Sequence, residues 1–393
     1  PLVLQHKSGH MGVFNTCALN RLGVTTQTEA PKGGVIGQDE GKFTGYMEEN
    51  AFVKYLKQIP MPDLEMLTDA CRKAQEKYAG YGITTVQDGM MVEQMIPLYR
   101  HWLAQDELKL DVVGYPAADE LDVMEEAFPE SMGRYWRNFR IGGMKVILDG
   151  SPQGRTAWMR TPYQLQEEYY GYGTMEDGEV KEALAKAAKR KLQIIAHCNG
   201  DAAADQYIRC VKETEEKYPE FRKLRPVMIH AQLLGLDQLA NVRKLGILPS
   251  FFVAHVYHWG DVHRKNFGEE RAAAISPAAS ALREGIRFTF HQDSPVIEPN
   301  MLETVRCAVS RKTRSGRVLG AREAVTVLEA LKAVTIHAAY QYSEEAEKGS
   351  IRAGKRADFV ILDRNPLEVE TDDIPGIRIL RTIKEGAALF SAD

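Results

Sequence analysis

Gly143-Met144-Lys145-Val146-Ile147-Leu148-Asp149-Gly150-Ser151 is the stretch from which the rest of the chain is read. A strand alternates its faces, so Lys145, Ile147 and Asp149 share one side and Val146 and Leu148 the other. A lysine and an aspartate therefore stand on one face of an otherwise apolar strand, just before a Gly-Ser-Pro turn. Burying a lysine is costly unless it is neutralised or paired. From this stretch alone, a structural ion pair and a functional lysine are equal readings.

On both sides of this stretch, strand and helix patterns alternate. Strand patterns cover 83–88, 108–114, 140–149, 192–197, 226–230, 247–254 and 286–292. Helical patterns cover 63–78, 91–105, 117–128, 178–190, 202–218, 236–245, 277–284 and 325–340. Repeated strand–helix units predict parallel strands joined by right-handed crossovers. A closed (β/α)8 TIM barrel has eight such strands and the chain shows one fewer. The fold class is read as α/β, a TIM barrel whose first strand is missing from this chain and lies before residue 1. Residues 1–60 have weak periodicity and one glycine-rich hairpin pattern over 33–46. They read as a cap packed on the barrel, without a core of their own. Residues 61–344 read as barrel strands two to eight. Residues 345–393 carry three short strand patterns and read as the C-terminal part of a small β-sandwich.

Composition narrows the function classes. Hydrophobic residues at 44% and charged residues at 26% are a soluble globular balance. The net charge of −4 comes with no basic block, which argues against nucleic acid and anionic membrane as partners. No apolar run is long enough to span a bilayer. The five cysteines are scattered with no CxxC, which favours a reduced cytoplasmic protein over a disulfide scaffold.

Chemistry collects at the strand ends, which in this architecture face the active site. One strand ends in His197, the next in His230, and the last places Thr289, His291 and Asp293 on one face. Lysine, histidine, histidine and aspartate thus occur in order on four strands. Divalent metals take imidazole and carboxylate, and a catalytic centre keeps one position for water.

These segments resemble the amidohydrolase superfamily, in its amidohydrolase-3 (YtcJ-like) branch. The matching residues are Ser8-Gly9-His10 with Asn15; Gly33-Gly34 with Thr44-Gly45 and Glu49; Lys145 with Asp149-Gly150-Ser151; His197 with Gly200-Asp201; His230-Ala231-Gln232; Asp293 with Pro295; and Gly349-Ser350-Ile351 with Gly354-Lys355 and Ala357-Asp358-Phe359. The resemblance implies a divalent metal centre, usually zinc, with one or two ions, that activates water against a carbonyl carbon. It implies Lys145, His197, His230 and Asp293 as metal ligands, Lys145 carboxylated by CO2, and Asp293 as the catalytic base and acid. The family's first strand carries a His-x-His pair, and none occurs in this chain. The pair belongs with the missing strand, so the chain reads as the C-terminal part of a longer enzyme. A degenerate relative is the alternative, and metal occupancy is the property it puts in question.

Other residues are candidates for substrate contact. His255 is read at the end of the seventh strand, with His258, Trp259 and His263 on a following loop. His10 reaches from the cap. His291 is either a neighbour that orients a ligand or a barrel-interior histidine. Arg155 is set to bind a substrate carboxylate or to form a salt bridge. Asp201 is read as the cap of the helix that follows. The function expected is metal-dependent hydrolysis of the C–N bond of a small non-peptide substrate. The alternatives are an ester or other C–X hydrolase on the same centre, or a non-catalytic binding or regulatory relative. A homodimer is a further expectation.

Overall fold

The computed structural model describes residues 1–60 and 62–392. The boundary expected at residue 61, and the last residue of the C-terminal unit, fall outside them. In chain order the strands are β1 (Val3–Gln5), β2 (Met11–Phe14), β3 (Gly34–Asp39), β4 (Lys42–Glu49), β5 (Thr85–Met91), β6 (Asp111–Pro116), β7 (Phe139–Ile141), β8 (Gly143–Ile147), β9 (Gln193–Cys198), β10 (Val227–His230), β11 (Leu248–Phe251), β12 (Thr289–Phe290), β13 (Phe359–Leu362), β14 (Ile379–Lys384) and β15 (Ala387–Ser391).

β5, β6 and β7 pair in parallel, as do β8 through β12. The two runs are one wall, because β7 and β8 are consecutive pieces of a single extended stretch. Gly142 separates them and donates its amide to Gly114 O at 2.9 Å. A Cβ at Gly142 would stand 2.6 Å from Val113 Cγ1, and one at Gly143 2.0 Å from Gln193 O. Two glycines therefore let the chain exchange its partner β6 for β9 within one step. This wall is that of a TIM-type barrel.

Alternation on β8 holds. Met144, Val146 and Leu148 enter the core that packs Val180, Leu184 and Ala187 of the helix Asp177–Arg190. Lys145 and Ile147 face the other way. The lower interior of the barrel is filled by Val113, Tyr115, Ile195, Val227, Ile229 and Leu248. Helix starts follow local chemistry: Asp63 caps Leu64–Gly80 by accepting from Met66 N at 2.8 Å, and Glu176 with Glu179 forms a capping box. The helix Asp201–Lys217 departs from expectation. Gly200 is its cap, and Asp201 accepts from Arg160 N at 2.8 Å instead.

At the barrel floor, Gln341 joins strands that do not pair. Thr289 Oγ1 donates to Gln341 Oε1 at 2.8 Å, and Gln341 Nε2 donates to Gln87 Oε1 at 3.3 Å. Beside it, buried Asp111 pairs with Lys348 and, at 3.1 Å, with Lys384. β13, β14 and β15 form one antiparallel sheet, against which the helix Leu64–Gly80 packs through Gly80 beside Phe390.

Residues 1–60 differ from expectation in one respect. The sheet β1-β2-β4-β3 and two short helices enclose a core of their own around Phe14, Met47, Phe52 and Tyr55. Glycines and polar loops hid it, because its apolar residues come in ones, twos and threes from short elements spread over the segment.

Candidate metal centre

The inner face of β9 carries Ile195 and His197, in register with Val227 and Ile229 of β10. Alternation would send His230 outward beside Cys198, which lies in the outer core. The backbone prevents this: φ is +71° at His230 and +45° at Ala231. A non-glycine residue in that region costs on the order of 1–3 kcal/mol, and such residues gather at functional sites. The turn swings the His230 ring inward, where Nε2 lies 3.1 Å from His197 Nδ1 and Nδ1 lies 3.0 Å from His291 Nε2. His291 shares the inward face of Thr289, and its Nδ1 meets Ser250 Oγ at 2.9 Å. Asp293, exposed and with φ +55°, completes the group.

His230, His291 and Asp293 each offer a ligand atom, all within 4.8 Å of one another. Two ligand atoms of a tetrahedral zinc, each about 2.0–2.1 Å from the ion, stand about 3.4 Å apart. The His230 Nδ1 to His291 Nε2 separation of 3.0 Å is near that spacing, whereas His197 meets His230 through its other ring nitrogen. Burial pushes His197 and His230 well below the ordinary histidine range, and His291 down to about 4. All three rings are thus neutral at pH 7, which metal binding requires. The donor set fits a divalent ion.

His197 stands at the edge of this group. Its Nε2 accepts from Asn199 Nδ2 at 3.0 Å, and the same amide donates to Gly150 O at 2.9 Å. Lys145 faces the barrel interior half-buried, and its Nζ makes no hydrogen bond or ion pair among the described residues. Burial lowers its pKa, against the pull of Asp293 and Asp88. A Cβ at Gly89 would come 3.5 Å from that nitrogen. Asp149, on the same strand face, does not join the centre. Its Oδ1 accepts from Asn199 N at 2.9 Å, and its Oδ2 from Gly200 N at 2.7 Å and Trp158 N at 3.0 Å. Burial nevertheless raises its pKa to about 7.

A cleft beside the centre is lined by His10, His197, His230, His255 and Asp293, with Phe252 and Val296 as its apolar side. His10 arrives from the N-terminal sheet, its ring centroid 5.0 Å from that of His197. His255 lines the cleft, and it does so from another element than the strand end read in the sequence. The segment read as strand end and loop is the helix His255–Ala273, interrupted at Gly268 with φ +78°. On it, His258 bonds Glu303 at 3.0 Å, and His263 is fully buried with Nε2 3.0 Å from His255 Nδ1. Neither lines the cleft. Arg155 has no carboxylate partner among the described residues, and its Nε donates to Asn266 Oδ1 at 3.0 Å.

Two residues of the site had no role in the sequence reading. Asn199, two residues after His197, holds the ring through the bond above. Glu49 is buried; its Oε2 lies 2.8 Å from His10 Nδ1, and its Oε1 accepts from Thr156 Oγ1 at 2.6 Å. The only signal for Glu49 was its place in the hairpin motif.

The profile of the Amidohydrolase family matches residues 1–390. The N-substituted formamide deformylase of Arthrobacter pascens is 26% identical over 99% of this chain and 73% of its own length. The crystal structure of an uncharacterized metal-dependent hydrolase from Pyrococcus furiosus superposes with a TM-score of 0.72 at 25% identity, covering 92% of this chain and 71% of that one. Its counterpart from Pyrococcus horikoshii gives 0.77 at 24% identity, over 95% and 73%.

Proposed function

Since the chain belongs to the amidohydrolase family, a family of metal-dependent hydrolases of C–N bonds, we propose that it hydrolyses the amide bond of a small, non-peptide secondary amide. The observation that carries this reading is the convergence of His230, His291 and Asp293 within 4.8 Å at the barrel mouth. These residues would hold the ion, and His197, which meets the other ring nitrogen of His230, would stand next to it. Nitrogen and carboxylate donors in a buried setting suit zinc. A bound divalent ion polarises the carbonyl and lowers the pKa of water. Asp293 takes a proton from the attacking water on a carboxylate oxygen and returns it to the departing nitrogen. Lys145, without an ion-pair partner among the described residues and facing the same interior, adds its amine nitrogen to CO2; an N–C bond forms, one N–H proton leaves, and an anionic ligand results. Phe252 and Val296 accommodate the apolar part of the substrate. His10 and His255 contact its polar part, and Arg155, which has no carboxylate partner among the described residues, would meet a substrate anion reaching past the cleft. The named activity of the Arthrobacter relative supports a formamide-like acyl group.

The test pairs metal analysis with turnover. Purified protein loaded with zinc should release aniline from N-phenylformamide or N-phenylacetamide. His230→Ala should lose both metal and turnover. Metal binding without aniline release, but with phenol release from phenyl acetate, would move the reading to an ester hydrolase. No metal and no turnover would overturn it.

A further inference from the structure

We propose that Glu49 is a positioning residue that holds His10 against the substrate, so that the N-terminal sheet supplies part of the catalytic machinery. The inference rests on the hydrolase reading above and adds a residue and a role to it. His10 and Glu49 are tied twice. Glu49 N donates to His10 O at 2.7 Å, and Glu49 Oε2 takes His10 Nδ1 at 2.8 Å. With Nδ1 engaged, Nε2 is the ring nitrogen left for the cleft that His10 lines. The third member, Thr156, fixes the carboxylate from the barrel side at 2.6 Å and also accepts from Ser151 N at 2.8 Å.

Three independent features show that the site is shaped around this carboxylate. Glu49 has φ +49° and ψ −129° at the point where β4 turns into the helix Asn50–Leu56, a conformation that a non-glycine residue rarely adopts. Both of its oxygens are engaged, although the side chain is only 4% exposed. Gly150 makes room for it: a Cβ there would stand 2.2 Å from Glu49 Oε1 and 2.1 Å from Thr156 Oγ1. A carboxylate that orients a histidine which in turn touches the substrate is a recurrent device.

The test is a double-mutant cycle on the zinc-loaded full chain with N-phenylformamide as probe. His10→Ala should lower kcat at least tenfold, and Glu49→Ala should do the same. Glu49→Gln, which keeps an acceptor for Nδ1–H, should stay within about threefold of wild type. In the His10→Ala background, Glu49→Ala should change kcat by less than twofold, because its effect runs through His10. A full further loss in that background, or unchanged kcat in His10→Ala, overturns the proposal. A second readout is independent of turnover. In 15N-histidine spectra, His10 should show a Nδ1–H proton protected from exchange in wild type and Glu49→Gln, and lost in Glu49→Ala. If that proton is absent in wild type the pairing is refuted, whatever the substrate. If it is present while wild type turns over no probe, the hydrolase reading fails and the pairing stands.

Discussion

Asp149 is the most demanding place to test the account of the site. Its buried carboxylate accepts three backbone N–H groups, from Asn199, Gly200 and Trp158. These belong to the two loops that follow β8 and β9, so one side chain sets both. Asp149→Ala removes both acceptor oxygens and leaves the three N–H donors unpaired. A buried donor left unpaired costs about 1–3 kcal/mol, and partial rehydration keeps the sum near 3–6 kcal/mol. That is a large share of the roughly 5–15 kcal/mol that holds a domain folded. Asp149→Asn is milder. Its oxygen can serve Gly200 and Trp158, but its NH2 then faces the Asn199 amide, donor to donor, at about 1–3 kcal/mol. Urea unfolding followed by circular dichroism measures both changes. Metal content should fall more in the alanine variant, because Asn199, which steadies His197, moves with its loop. An alanine variant within about 1 kcal/mol of wild type, or one less perturbed than the asparagine variant, would refute the reasoning.

Four further outcomes are expected. Gly150→Ala forces a Cβ within 2.2 Å of Glu49 and Thr156, so it should cost about 1–3 kcal/mol in a thermal melt and lower turnover. Asp111→Asn takes one anion from Lys348, which keeps Glu344 at 2.8 Å, and leaves Lys384 only Glu385 at 3.8 Å, so it should cost about 1–3 kcal/mol by denaturant titration. Burial holds His263 at about 3 and His291 at about 4, below the unfolded value of 6.5. The unfolded chain therefore takes up protons first, so stability present above pH 6.5 should be lost as pH falls towards 3–4. Each such histidine contributes up to about 1.4 kcal/mol per pH unit, readable as a falling melting temperature. His291→Ala should weaken zinc retention during dialysis against a chelator, and retention equal to wild type would remove His291 from the ligand set.

Much of this was legible because strand alternation is strict. Lys145, His197 and His291 could be placed on inner faces from their neighbours alone, and the seven barrel strands follow the apolar pattern closely. His230 was located for another reason, as the last residue of its strand, and alternation would have sent it outward. Its inward turn depends on φ at two non-glycine residues, which no residue pattern announces. His258 and His263 were misread because the chain enters a helix at His255, with three residues between it and the end of β11, and Ala254 at the cap position offers no polar side chain to mark the start. Glu49 went unassigned because its partners lie 39 and 107 residues away. A buried carboxylate is recognised only when such distant groups are brought together.

The barrel floor also bears on when the protein can finish folding. Gln341 reaches Gln87 across 254 residues, Lys348 reaches Asp111 across 237, and Thr382 Oγ1 donates to Ala79 O across 303 at 2.6 Å. Each of these bonds ties an early strand or helix to late residues. Contacts of such separation are slow to form, and a growing chain cannot make them before its later part exists. During synthesis, β5 and β6 therefore wait with their lower ends unsealed until residue 384 has left the ribosome. Over that interval, the half-built wall depends on its own helices, or on chaperones, to stay clear of other nascent chains.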